Sequence, residues 1–331
     1  MLYNGANKYF VSKISEKFLI NSNLNLKFAV YTVYFFNLIT FNNFINRFLG
    51  MKRIFLLCAF AITLNLVVGQ DCVPTLEDYQ KFLKSKTYVV FDETLMSDFN
   101  VKIKEIMERS WSITPVEYID SKEFDKMKND SDASFIVNNN VTFYKDKAKG
   151  TYRFISLLMG NPDTKITNLP DLCSLPLAYI EIDQEEYSYK FEAFVQFMQT
   201  HVRNVLADPS LIGENVLRKY NKEKGRFSTK TLYLLKKEVV AEANDVTKIK
   251  KFYPFAVKFV TQEEIEDAII RQDKDVVFLH MVGPKKFRHE TRVYKVIVGA
   301  GDQKLYYFDW QILKSAKDIA LQTSDLKKMS K

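Results

Sequence analysis

The sequence predicts an α/β protein, with mixed sheets in two tandem β-α-β-α-β-β-β units joined by a helical connector. Three observations carry this. Two blocks run through the same order of segments, each block sets a capping box directly after a short alternating strand, and a long helix-period segment separates them.

The first block opens on "KTYVVFDETL" from Lys86, an apolar strand. A polar, helix-like segment with Lys102-Ile103-Lys104 follows. "PVEYIDSKEFD" (115–125) then gives a strand and the box Asp120-x-x-Glu123. An amphipathic helix leads to "DASFIV" (132–137), and "TYRFISLLMG" (151–160) and "DLCSLPLAYI" add strands. The second block repeats the order. "KTLYLLKKEV" starts at Lys230, a polar segment holds Lys248-Ile249-Lys250, and "FAVKFVTQEEIE" (255–266) carries Thr261-x-x-Glu264. "DVVFLH" (275–280) and "RVYKVIVGAG" (292–301) follow. Helical crossovers make the first three strands of each unit parallel, and the trailing strands turn back antiparallel. "VGAGDQK" (298–304) lies between two alternating strands, so it reads as a hairpin turn and not a nucleotide loop.

Between the blocks, "YSYKFEAFVQFMQTHVRNVL" (187–206) has apolar residues at 191, 194, 195, 198, 202, 205 and 206. This is a helix with one wet face, docked on its own sheet. Asp208-Pro209 ends it and opens a second helix expected to run through 210–224.

The start of the chain has its own logic. From Met51, Lys52 and Arg53 precede an apolar run, Ile54 to Val68, and a small-residue exit at Gly69. That is the layout of a secretory signal, too short to span a bilayer. Phe, Asn, Ile, Tyr, Lys and Leu supply 35 of the first 50 residues, the bias of translated AT-rich DNA. The expected organisation is therefore an upstream extension (1–50), a signal peptide (51–69), a first α/β unit (70–185), a connector (186–225) and a second unit (226–331). The mature chain begins at Gln70, is secreted or periplasmic, and has no transmembrane helix.

Export bears on the cysteines. Cys58 leaves with the signal, and Cys72 and Cys173 are expected to pair. Without C-x-x-C there is no redox motif. "NDS" (129–131) and "NVT" (140–142) are glycosylation sequons in a eukaryotic host.

The net charge of +8 resides mostly in the leader, since residues 1–69 hold seven Lys/Arg and one Glu. The remainder carries 41 basic and 39 acidic side chains, too balanced for a general nucleic-acid binder. It is polarised, however: residues 70–213 hold 16 basic and 23 acidic groups, residues 214–331 hold 25 and 16. Opposite signs help the two halves sit together. The sharper alternative is an anionic partner, or peripheral membrane contact, at Lys285, Lys286, Arg288, Lys327 and Lys328.

No catalytic, cofactor or metal motif emerges. His201, His280 and His289 lie in no ligand spacing, and no serine sits in G-x-S-x-G. The expected function is an exported non-catalytic binding or scaffold protein, with an unknown protein or small ligand as partner. One alternative is an exported hydrolase using a histidine, with an acid such as Glu290 to orient it. The other is a surface component that docks on membrane or polyanion.

Overall fold

The computed structural model describes residues 73–330 except 94–96, 145, 163–167, 214–215 and 224. The upstream extension, the signal segment and Cys72 lie outside the described residues.

In the first unit, α1 (Leu76–Phe82) precedes β1 (Lys86–Val90), α2 (Asp98–Ser110), β2 (Val116–Ile119), α3 (Ser121–Met127), β3 (Ala133–Thr142), β4 (Thr151–Met159) and β5 (Asp171–Tyr179). The connector holds α4 (Phe191–Ala207) and α5 (Val216–Lys219). The second unit runs β6 (Thr231–Leu234), α6 (Val246–Ile249), β7 (Ala256–Phe259), α7 (Gln262–Ile270), β8 (Val276–Val282), β9 (Arg292–Gly299), β10 (Leu305–Ile312) and α8 (Thr323–Met329).

Each unit builds one five-stranded sheet, ordered β2-β1-β3-β4-β5 and β7-β6-β8-β9-β10. The first three strands of each are parallel and the last two antiparallel. The two strand orders are thus identical, as the tandem reading requires. Both capping boxes form, Asp120 with Glu123 and Thr261 with Glu264. The glycine-rich turn joins β9 to β10, closed by Gly299 N–H donating to the Lys304 carbonyl at 2.9 Å. Of the sequons, Asn129 is exposed in the turn after α3, while Asn140 sits half-buried within β3.

The register of the repeat differs from the sequence match by one residue. Tyr88 pairs with Phe135 in the first sheet, and Tyr233 with Phe278 in the second. Matching Lys86 to Lys230 instead sets Tyr88 against Leu232. A one-residue slip on a strand reverses which face a side chain occupies. Tyr88 and Phe135 pack with α3 on the outer side of the first sheet. Their counterparts Tyr233 and Phe278 face the central core. The units therefore stack front to back, not face to face.

The crossovers agree. In the first unit α2 buries Phe99, Ile103, Ile106 and Met107 in the central core, and α3 puts Phe124 outside. In the second, the first crossover puts Ala243 and Ile249 outside, and α7 brings Ile265, Ala268 and Ile269 to the centre. Two crossovers of the same hand that leave a strand in opposite directions must lie on opposite faces of the sheet. Front-to-back stacking then brings α2 of one unit and α7 of the other into a shared middle layer.

Three expectations need correction. The second unit's first crossover is no full helix. It holds 3-10 turns at Lys236–Glu238 and Ala241–Ala243 and the single turn α6. Val239 and Val240 are poor helix formers, and Asp245 starts a new cap by accepting from Lys248 N–H. The segment after Asp208 is also broken, into a 3-10 turn (Pro209–Leu211), α5 and another turn (Tyr220–Lys222), with Gly213 at φ +120°. Asp208 still caps it, accepting from Ser210 N–H, with Pro209 first in the turn.

The third correction concerns α4, which has no wet face along most of its length. Glu192, Gln196, Gln199 and His201 are buried along with its apolar residues. It fills the centre of a core drawing side chains from both sheets. Its polar face is not hydrated but bonded to the end of α2. Glu192 accepts from Arg109 Nε at 3.0 Å, Arg109 Nη2 at 2.6 Å and Ser110 Oγ at 2.5 Å. Gln199 donates to the Ser110 carbonyl at 2.7 Å and accepts from Ser112 N–H at 2.9 Å. The carbonyls at a helix C-terminus lack intrahelical partners, and α4 supplies one.

Candidate functional site

A cleft of about 290 Å³ lies where β5 meets β8. One wall is Leu177–Tyr179 of β5, and the other is His280–Val282 of β8 with Gly283 and Lys285 beyond it. The turns at 184–186 and 236–238 close its ends with Glu186, Lys237 and Glu238. Lys190 borders it from the 3-10 turn Ser188–Lys190, which leads into α4.

Lys190 is 2% exposed. Its Nζ donates to the Leu279 carbonyl at 3.1 Å and stands 3.9 Å from Glu238 Oε1, beyond a normal hydrogen bond. Glu238 Oε2 is buried and has no hydrogen-bond partner among the described residues. Burial lowers the Lys190 ammonium from its ordinary range and raises the Glu238 carboxyl, each partly offset by the other's charge. His280 is 1% exposed, and its Nε2 lies 3.0 Å from the Pro176 carbonyl. Burial first, and the Lys190 charge second, hold its ring neutral. Buried charges without full hydrogen bonding are costly, so natural chains keep them where something is bound or switched.

A second cleft of about 400 Å³ runs between α2 and α7. Lys102 and Glu266 bridge it at 3.0 Å, and the Arg109–Glu192 pair occupies its wall. Both of its cations are engaged by Glu266 and Glu192, and Asp98 and Glu105 leave the lining net acidic, whereas the β5–β8 cleft has a net basic lining.

His201, on α4, is fully buried. Its Nδ1 lies 2.8 Å from the Tyr220 hydroxyl, which can donate to a neutral ring. Burial pushes its pKa down to about 4, while the Leu172 carbonyl pulls less strongly the other way. His289 is exposed and edge-on to Phe287. Neighbouring Glu290 pairs with Lys147 at 2.9 Å. Among the described residues, no hydrogen bond joins a histidine to a Ser, Cys or carboxylate. Among the described residues buried Cys173 has no cysteine partner, and as a thiol it is raised well above its ordinary pKa by burial and by Asp171. No group of three or more His, Cys, Asp and Glu among the described residues is placed to hold a metal ion.

A folded-state pKa near 4 against an unfolded 6.5 makes His201 a source of acid lability. Its stabilisation is complete above pH 6.5 and is lost as pH falls towards 4. Asp171, pushed up to about 6 by burial, works in the opposite sense over part of that range. His201→Gln should therefore shrink the fall in stability between pH 7 and pH 4 by about 3 kcal/mol. Urea titrations at the two pH values measure it, and an unchanged fall contradicts it.

The five basic candidates do not form one patch. Lys285 pairs with Glu186 at 3.0 Å, and Arg288 pairs with Glu181 at 2.7 Å and lies 3.3 Å from the Tyr179 hydroxyl. Lys286 is exposed on the same β8–β9 loop. Lys327 and Lys328 are on α8, one over the Phe252 ring at 5.4 Å and the other 3.0 Å from Asp309. Ion pairs between the two halves of the chain run in both senses. Besides Glu181 and Glu186, Asp146 pairs with Arg292, and Lys147 and Lys102 pair with Glu290 and Glu266. Only Lys285 of the five also borders the cleft.

Sequence reasoning missed Lys190 and Glu238. The available signal was a lone lysine inside the aromatic run "YSYKFEAF", a position where solvation is hard to keep. Comparison with family models, curated proteins and solved structures finds no match to this chain.

Proposed function

We propose that this chain is an exported, non-catalytic binding protein that takes a small ligand in the cleft between its two α/β units. The observation that carries the reading is the Lys190–Glu238 pair beside that cleft, its lysine 2% and its glutamate 16% exposed, held apart at 3.9 Å with one buried carboxylate oxygen unpartnered among the described residues. Such a pair is poorly compensated alone, and a polar ligand group can complete it. His201 bonds the Tyr220 hydroxyl and His280 the Pro176 carbonyl, and among the described residues neither bonds a Ser, Cys or carboxylate, which supports binding over hydrolysis. Among the described residues no helix is long and apolar enough to cross a membrane. Chemical-shift mapping with a small-fragment library tests the proposal. Perturbations should cluster at 177–179, 190, 238 and 280–285. Shifts scattered over the surface, or turnover of an ester or peptide library, would contradict it.

Export rests on the signal at Met51, and mass spectrometry of the secreted protein should find no peptide before Gln70. The Cys72–Cys173 bridge belongs to the same reading. The Tyr79 hydroxyl donates to the Leu172 carbonyl at 2.8 Å, which sets α1 beside Cys173. A loop of roughly 100 residues closed this way adds about 4–5 kcal/mol in the chain-entropy model. Alkylation without reductant should label neither cysteine, and two labelled thiols refute the bridge.

A further inference from the structure

We infer that the ligand of the β5–β8 cleft is a small organic carboxylate, whose head group takes the place that Glu186 occupies between Lys237 and Lys285. This rests on the binding reading above. Glu186 Oε1 lies 3.0 Å from Lys285 Nζ, and its Oε2 lies 3.8 Å from Lys237 Nζ. Two ammonium groups from separate segments of the second unit thus converge on one carboxylate from the turn that follows β5. That carboxylate is readily exchanged. It sits on a three-residue 3-10 turn without a side-chain cap, is one-third exposed, and faces lysines that are 63% exposed. Ion pairs this wet contribute little, so a competing carboxylate can displace Glu186 without a large penalty.

The rest of the cleft fits such a ligand. Its charged lining is three lysines against two glutamates, so displacing Glu186 leaves an excess of positive charge for the incoming anion. Lys190 adds its field from behind, with its Nζ on the Leu279 carbonyl, 5.0 Å from the Tyr189 ring centroid and 3.9 Å from Glu238. Ile182, Val282 and Ile319 line the same space and suit a short apolar tail. At about 290 Å³ the cleft has room for roughly ten water-sized groups, enough for a short-chain carboxylate.

Isothermal titration with straight-chain carboxylates from acetate to octanoate tests this, with hexanamide as the neutral analogue of hexanoate and inorganic phosphate as a second anion. Hexanoate should bind at least tenfold more tightly than hexanamide or phosphate. Lys237→Ala with Lys285→Ala should weaken it at least tenfold. Glu186→Gln should tighten it several-fold, because the internal competitor is gone. Equal affinity for hexanamide overturns the carboxylate, as does weaker binding by Glu186→Gln. Phosphate binding as tightly as hexanoate shows that the cleft reads charge alone, and also overturns it. If carboxylates fail while neutral fragments still perturb the cleft, this inference falls and the binding reading stands. Silence from both classes removes both.

Discussion

Asp325→Ala should cost about 3–5 kcal/mol of folding stability. Asp325 on α8 and Lys295 on β9 form a hydrogen-bonded ion pair, their side chains 3% and 2% exposed. The same carboxylate accepts from Gln322 N–H at 2.9 Å and so caps α8. Its loss strands an ammonium where water cannot reach it. Replacing both partners, Lys295→Met with Asp325→Leu, should recover most of the loss, because burying the pair costs nearly as much as its attraction returns. Equilibrium urea unfolding of the three variants measures this. A single variant within 1 kcal/mol of the parent, or a double variant no better than the single, contradicts the assignment.

Phe197→Ala should cost about 3–5 kcal/mol, and should do so in one transition. Phe197 is fully buried on α4, 5.8 Å from the His201 ring and 5.6 Å from Tyr220 between ring centroids. The core it belongs to contains Leu157 and Leu175 of the first sheet and Phe278 and Val296 of the second. A cavity there weakens both units together. Far-ultraviolet circular dichroism and tryptophan fluorescence should give coincident unfolding curves for parent and variant. Trp111 reports the first unit and Trp310 the second. Two separated transitions mean that each unit folds around its own core, which the shared middle layer forbids.

The strands were legible because each is a short apolar run bounded by breakers, and their order came with them. The capping boxes at Asp120 and Thr261 were legible because a cap is a local contact over three residues. What failed was set by tertiary structure. α4 has an amphipathic sequence, but its polar side faces the end of α2, so helix period was read correctly and wetness wrongly. The Lys-Thr match at Lys86 and Lys230 was one residue out of register, and only the pairing of Tyr88 with Phe135 and Tyr233 with Phe278 fixes it. The cleft was invisible for a similar reason. Lys190 and Glu238 are 48 positions apart, and nothing local to either marks their approach. Lys285 was singled out for its place in a basic loop, yet its partner Glu186 lies 99 positions earlier.

Native mass spectrometry of the protein purified from its natural host tests the central claim most directly. The parent should carry a small bound mass. A variant with the cleft filled at its rim, Ile319→Trp, should be folded and carry none. A parent free of bound mass, or a parent and variant that carry it equally, would contradict a ligand site between β5 and β8.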